Sequence, residues 1–520
     1  MTEKCLVAID AGTGSGRCLV FRTSGEEIAS ATREWAHETI SKYPGSQVFD
    51  TTGNWKLLCE CVLEALKKAR ISPRRVAGVS ATSMREGMVL YDRDGEEIWA
   101  CPNADARAAD EVTELTRKGL SEEIYFTAGD WPSIIDPPRF LWIKKHQPEI
   151  FGKISHMTML SDWILYRLSG EFATEPSIGS SSGMFDLEKR TWSKSIIELC
   201  DLPIGIFPPI YKAGTPIGEV TAKAAAETGL KKGTPVVMGG ADTQLGLIGV
   251  GAVKPAHVTV IGGTFWQQTI TTTTPVIDPQ SRVRTLCHAI PDQWMTEGIG
   301  FYCGLAMRWF RDAFCEEEKR LAQERNTSAY ILLEEAAKNV PPGSNGVIAI
   351  FSDVMNAKHW ICASPSFMQF DVMSPSTSGK KECFRAIEES AAYVSLGNLH
   401  IIKEITTVHP RETVFCGGAS KGFLWSKILA DVLGLNVKVP VVKEATALGA
   451  AICAGAGAGI YDNILYAAEN LVKWESIIDY DENTHKRYTE LYGRWTKVYQ
   501  RCLEMVEDDL LKPMWRAPST

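Results

Sequence analysis

Three short stretches carry residue types that could do chemistry together. Residues 10–17 read DAGTGSGR, so Gly12 and Gly14 leave backbone N–H groups accessible while Thr13 and Ser15 add hydroxyls and Arg17 a cation. Such a turn suits phosphate oxygens, because glycine lets an oxyanion approach the backbone donors. Its glycines at 12, 14 and 16 do not follow G-x-G-x-x-G, and it lacks the Gly-Lys-Ser/Thr ending of a P-loop. The second stretch runs from Val236 through Gly239 and Gly240 to Asp242, the lone charge in residues 236–253. A carboxylate so placed could take a proton from an alcohol, or it could cap a strand-end turn. On this segment alone the two readings stand level. The third stretch, Gly262-Gly263-Thr264, repeats the phosphate-cradle chemistry after a β-rich run over residues 257–261.

Two further polar clusters sit near strand ends. Ser83-Met84-Arg85-Glu86-Gly87 follows a strand expected at residues 76–80, and Asn103-Ala-Asp105-Ala-Arg107 opens a helix. An adjacent Arg-Glu pair is usually a solvated ornament, so on spacing alone it carries little weight.

The elements that position these groups follow from periodicity. Residues 5–33 read as a strand, a glycine turn and two more strands, and residues 55–70 as an amphipathic helix. Residues 137–170 look helical, and residues 171–193 form a Gly/Ser-rich loop and hairpin. After about residue 255 the order restarts with a strand, a Gly-Gly-Thr turn and a strand, which suggests a duplicated unit. Helices are expected over 304–314 and 382–403, a strand over 413–418 running into a helix, and a small-residue helix over 444–458. Apolar residues at 488, 491, 495, 498, 502 and 505 keep a seven-residue period, read as a helix covering a core.

Composition sets the outer limits. A chain of 520 residues exceeds what one core serves, so two large domains are expected. The net charge of −8 offers no footprint for nucleic acid or an anionic membrane. Fourteen scattered cysteines without a C-x-x-C pair read as buried thiols rather than disulfides or a metal site. The start shows no signal-peptide h-region, and the uncharged residues 445–460 are too few to span a bilayer, so a cytoplasmic protein is expected.

Taken in order, DAGTGSGR, GGADTQ, GGT, CGGASKGFLWSKILADVLG and KEATALGAA make the chain resemble the FGGY carbohydrate kinases over about residues 5–460. That resemblance implies an α/β protein with the actin-like ATPase (ribonuclease H-like) fold, two similar domains and an active-site cleft between them. Residues 1–255 would hold the acceptor and the first phosphate loop. Residues 256–460 would bind the nucleotide, and residues 461–520 would form a helical extension on the second domain. The cofactors implied are ATP and Mg2+.

Residue by residue, the resemblance makes Asp10 the magnesium carboxylate and Asp242 the general base. It makes Gly12, Thr13, Gly14, Ser15 and Arg17 the first phosphate loop and Gly263 and Thr264 the second. Gly304, Arg308, Gly418 and Gly422 would line the nucleotide. Arg85 and Glu86 match a pair that grips polyol hydroxyls in glycerol kinases, and Asn103, Asp242, Thr243 and Gln267 complete the acceptor site. Asn103 stands where glycerol kinases have a tryptophan, which argues for a more polar acceptor than glycerol. The runs SMREGMVLYD, NADARAA, GGTFWQQ and PPGSNGVIAIFSD resemble a branch that phosphorylates the terminal hydroxyl of linear 4,5-dihydroxypentane-2,3-dione, a signalling molecule. Glycerol or a pentulose such as xylulose is the alternative acceptor, and an actin- or Hsp70-like ATPase switch the alternative of another class. Control by a sugar-transport phosphocarrier follows only by analogy with glycerol kinases.

Overall fold

The computed structural model describes residues 4–410 and 412–517. Its first large sheet starts with Cys5–Ala11, which turns antiparallel into Ser15–Arg22 and then Glu27–Glu34. Val76–Ser83 and Pro235–Ala241 add in parallel on the other side, and Pro216–Glu219 closes that edge antiparallel. Cys5–Ala11 is buried at all positions, which is why it reads as an unbroken run rather than an alternation.

The second sheet repeats this plan. Val258–Gly262, Trp266–Thr272 and Trp294–Gly300 form the antiparallel meander, with Arg284–Cys287 added at its edge. Glu412–Cys416 and Asn436–Pro440 follow in parallel, and Trp474–Ile478 closes the far edge antiparallel. Neither edge strand was expected from the sequence.

Two expectations need correction. Residues 137–170 are not continuously helical: Asp136–His146 and Leu160–Ser169 flank a strand, His156–Met159, paired with Met88–Tyr91. Pairing with that distant partner decides the conformation of four residues that periodicity cannot separate from their helical neighbours. Residues 171–193 hold a short helix, Pro176–Ser181, capped by the Glu175 carboxylate, before the hairpin of Phe185–Asp186 and Thr191–Trp192.

Helices Asp242–Gly249 and Ala445–Gly457 cross between the sheets. A Cβ on Gly249 would strike the Ala445 carbonyl, and one on Gly449 the Leu245 carbonyl, so backbone meets backbone there. Ala445–Gly457 buries its small residues against Leu6, Ala8, Leu19 and Phe21 of the first sheet. The last long helix, Glu482–Glu507, lays Tyr488, Trp495, Tyr499 and Cys502 into the core of the second. Burying one such apolar side chain contributes about 1.5–3 kcal/mol, enough to fix the helix without a coiled-coil partner.

All the cysteines are buried free thiols, and burial pushes Cys59, for example, up to about 12. Among the described residues no helix is long and apolar enough to cross a membrane.

Candidate active site

Strand Pro235–Ala241 ends in extended backbone at Ala241, and the next residue, Asp242, begins a helix. Its Oδ1 accepts the N–H of Thr243 at 2.6 Å, one residue on, rather than the amides two or three residues on that a capping side chain would take. The side chain is 38% exposed. Arg85 Nε lies 3.8 Å from Oδ1. The surrounding walls exclude enough water that burial raises Asp242 to about 6; Arg85 pulls it down, while Asp10 and Glu86 push it up. A carboxylate with that value is ionised at neutral pH yet basic enough to accept a proton.

The first glycine turn follows strand Cys5–Ala11 and the second follows strand Val258–Gly262. In the first, Gly12 N–H donates to Ser15 O at 2.9 Å, and a Cβ on Gly14 would meet nothing within 4 Å. The Trp35 indole Nε1–H braces the turn from behind, donating to Gly12 O at 3.2 Å and Thr13 O at 3.1 Å. Asn103 Nδ2 donates to Thr13 Oγ1 at 3.2 Å, joining the first glycine turn to the segment that carries Asn103. In the second turn, Gly263 N–H donates to Phe265 O at 3.0 Å, and Thr264 Oγ1 lies 3.5 Å from Arg308 Nη2. Gly304, in the first turn of helix Cys303–Phe314, abuts the Gly263 carbonyl so closely that no Cβ fits. Gly418 follows Glu412–Cys416, and Gly422 packs on the Glu334 carboxylate at the start of helix Phe423–Leu433.

Asp10 is 2% exposed and ion-paired with Arg17. Arg17, expected beside phosphate, is spent otherwise. Strand register puts it directly opposite Asp10, and its Nη1 donates to Glu444 Oε2 at 2.7 Å. It therefore positions Asp10 and ties the first sheet to the Ala445–Gly457 helix. No cluster of three or more metal-ligating side chains occurs among the described residues. A lone buried carboxylate facing a phosphate turn fits Mg2+, which uses one or two carboxylates and completes its shell with water and phosphate oxygens.

The acceptor side is more enclosed than the sequence suggested. Arg85 and Glu86 are each 5% exposed, and Glu86 has a φ of 60°, a strained left-handed backbone for a non-glycine residue. Buried Arg139 holds that turn: it donates to the Glu86 carbonyl and also to Asn103 O and Asp105 O at 3.0 Å each. Asp105 and Arg107 are thus structural, paired at 2.7 Å, with the Arg107 guanidinium over Trp99 and Trp142. Thr243 Oγ1 donates to Gln267 Oε1 at 3.3 Å, linking the Asp242 helix to the second sheet.

Three residues here were not read from the sequence: Glu297, Arg284 and Asp130. Glu297 Oε2 accepts from Arg85 Nη1 at 2.8 Å and from Arg284 Nε at 2.7 Å, and its Oε1 accepts from Arg85 Nη2 at 3.3 Å. Arg284 Nη1 reaches Glu86 Oε1 at 3.0 Å and Asp130 Oδ2 at 3.2 Å. Burial works to raise Glu297, but Arg85 and Arg284 overcome it and hold the carboxyl down at about 2. A signal was available: Glu297 is the only charged residue in 294–307, the same pattern that singled out Asp242.

Residues 5–249 match the N-terminal domain of the FGGY family of carbohydrate kinases, and residues 258–458 match its C-terminal domain. The chain belongs to this family. Among curated relatives it is similar to the autoinducer-2 kinase of Escherichia coli (strain K12), 47% identical over 99% of this chain and 97% of that one. The autoinducer-2 kinase of Salmonella paratyphi B is 46% identical over the same shares. Xylulose kinase from Rhodospirillum rubrum superposes with a TM-score of 0.85 at 25% identity, covering 97% of this chain and 100% of that one. Plasmodium falciparum glycerol kinase with ADP gives 0.82 at 17% identity over 96% and 98%, a likeness of fold. The two sheets are thus the halves of the actin-like, ribonuclease H-like ATPase fold, and the family makes the chain an ATP-dependent phosphotransferase acting on an alcohol.

Proposed function

We propose that this FGGY kinase transfers the γ-phosphate of ATP to the terminal hydroxyl of autoinducer-2 in its linear form, 4,5-dihydroxypentane-2,3-dione. The observation that supports the mechanism is Asp242: a carboxylate 38% exposed beside Arg85 and raised to about 6. Near-full-length relatives named autoinducer-2 kinase support the choice of acceptor.

A primary alcohol is a poor nucleophile until its proton has somewhere to go. Asp242 accepts that proton as the acceptor oxygen bonds to the γ-phosphorus and the bond from that phosphorus to the ADP oxygen breaks, a contribution of about 10²–10⁴-fold. The turn amides of Thr13, Gly14 and Thr264 and the hydroxyls of Thr13, Ser15 and Thr264 hold phosphate oxygens in line with the acceptor, Gly12 and Gly263 closing the two turns, with Gly304 and Arg308 backing the second turn and Gly418 and Gly422 beside the nucleoside. Arg85, Glu86, Asn103, Thr243 and Gln267 orient the acceptor's oxygens. Asp10 would hold Mg2+ together with the phosphates, and the bound ion would neutralise charge at the transferring group. The site also requires the cleft to exclude water, which keeps ATP from being hydrolysed without an acceptor.

The test is ATP consumption with a panel of the pentanedione, glycerol, xylulose and other ketoses. The pentanedione should give the highest kcat/KM, with little turnover when no acceptor is present. Glycerol or xylulose as the best acceptor would move the chain to another branch of the family. Acceptor-independent turnover would favour an ATPase switch.

A further inference from the structure

The acceptor pocket carries a charge balance that its Arg-Glu pair alone does not explain. Four carboxylates, Asp242, Glu86, Glu297 and Asp130, surround two guanidiniums, Arg85 and Arg284. Each η nitrogen of Arg85 donates one hydrogen bond to Glu297, while its Nε lies 3.9 Å from Glu86 and 3.8 Å from Asp242. Glu297 is 0% exposed, so this pairing is a fixed part of the site.

The second sheet delivers these groups in register. Glu297 on Trp294–Gly300 lies opposite Arg284 on one side and Thr269 on the other. The Arg284–Cys287 strand is fastened to the first half by Thr285 N–H to Gly129 O at 2.9 Å and Cys287 N–H to Ser180 Oγ at 3.0 Å. Glu297 therefore reaches Arg85 from a strand that both halves of the molecule hold in place.

We propose that Glu297, itself held by Arg284, is the positioning and specificity-determining residue of the acceptor pocket, fixing Arg85 by its η nitrogens and restricting the site to uncharged polyhydroxy or carbonyl acceptors. Two consequences follow from the geometry. Arg85 is kept from swinging onto Asp242, 3.8 Å away, where it would block the proton acceptor. Arg85 also has no uncompensated charge to offer a substrate carboxylate, so a sugar acid entering the pocket meets a net negative wall and is refused. A buried charge with no partner is strongly disfavoured, and that cost sets the discrimination.

This inference rests on the kinase reading, and the experiment separates the two. Wild type, Glu297→Gln, Glu297→Asp, Arg85→Ala and the Arg85→Ala/Glu297→Gln double variant are assayed with the pentanedione and with gluconate as an anionic probe. If wild type phosphorylates no neutral acceptor, the kinase reading fails first. Given wild-type activity, Glu297→Gln should raise the acceptor KM about 10- to 100-fold while leaving the KM for ATP within about two-fold. The ratio of gluconate to pentanedione kcat/KM should rise at least about ten-fold, a gain that misfolding cannot produce. Glu297→Asp, which keeps the charge at shorter reach, should restore part of the discrimination. In the Arg85→Ala background Glu297→Gln should add little, because it acts through Arg85. Additive losses, an equal rise in both KM values, or unchanged gluconate discrimination in Glu297→Gln and Glu297→Asp would overturn the proposal.

Discussion

Gly304 and Gly263 touch, with no room for a methyl group between the Gly304 Cα and the Gly263 carbonyl. The first turn of helix Cys303–Phe314 thereby sets the position of the Gly263-Thr264 phosphate turn. Gly304→Ala should push that turn out of place, raising the KM for ATP about ten-fold or more while the acceptor Kd changes little, since a displacement of about 1 Å can cost about 10²-fold. Steady-state kinetics with each substrate varied in turn checks this. Wild-type behaviour toward ATP would show that the turn can retreat without consequence.

Asp242→Asn keeps the shape and one acceptor oxygen but cannot take the proton. The expected result is a fall in kcat of about 10²–10⁴-fold with dissociation constants changed only a few-fold, the mark of an interaction used in the transition state. The wild-type kcat/KM should also lose its activity below about pH 6, where the Asp242 carboxylate becomes protonated. Substantial turnover by the Asn variant would leave Asp242 as a structural residue.

The same carboxylate should weaken the fold. Its folded value of about 6 lies above the ordinary carboxylate value, so the folded state binds the proton more tightly than the unfolded chain. The penalty is full above about pH 6 and fades as pH falls toward about 4. Asp242→Asn removes it, so its Tm should exceed wild type at pH 7.5 and converge with it near pH 4. A Tm difference that is flat with pH, or negative at pH 7.5, contradicts this.

Asp10→Asn should behave differently from Asp242→Asn. If Asp10 holds magnesium, its loss should be partly rescued by raising the metal concentration, and the magnesium concentration giving half-maximal rate should rise. Titrating magnesium against rate for both variants distinguishes the roles. Equal magnesium dependence in the two would remove Asp10 from the metal.

The strand–glycine turn–strand openings were legible because strand period, glycine placement and isolated hydroxyls coincide at residues 5–17 and 257–264. Asp242 was legible as a lone charge after two glycines. Glu297 sends the same signal, but no phosphate turn follows it to draw attention. Arg284 has none: in letters it is interchangeable with Arg282, which instead pairs with Asp278 at 2.8 Å and Glu404 at 3.0 Å. Residues two apart share a face in a strand, so alternation does not separate them; Arg282 precedes the strand Arg284–Cys287, and only tertiary structure says which of the two meets Glu86. Arg17 misled for a related reason, since seven residues of separation hid that the hairpin makes it the cross-strand partner of Asp10.

The Ala445–Gly457 helix has a bearing on how such a molecule can be divided. Although the two sheets follow one strand plan, the back of the first is sealed by a helix drawn from just over two hundred residues beyond its last strand. Residues 1–255 expressed alone would bare Leu6, Ala8, Leu19 and Phe21 to water, and the product should aggregate rather than fold. Co-expressed halves could assemble only by restoring that helix to the foreign sheet. The two halves share a pattern but are expected to fold only together, so half-exchange between relatives requires that the donor's counterpart of the Ala445–Gly457 helix match the recipient's first strands.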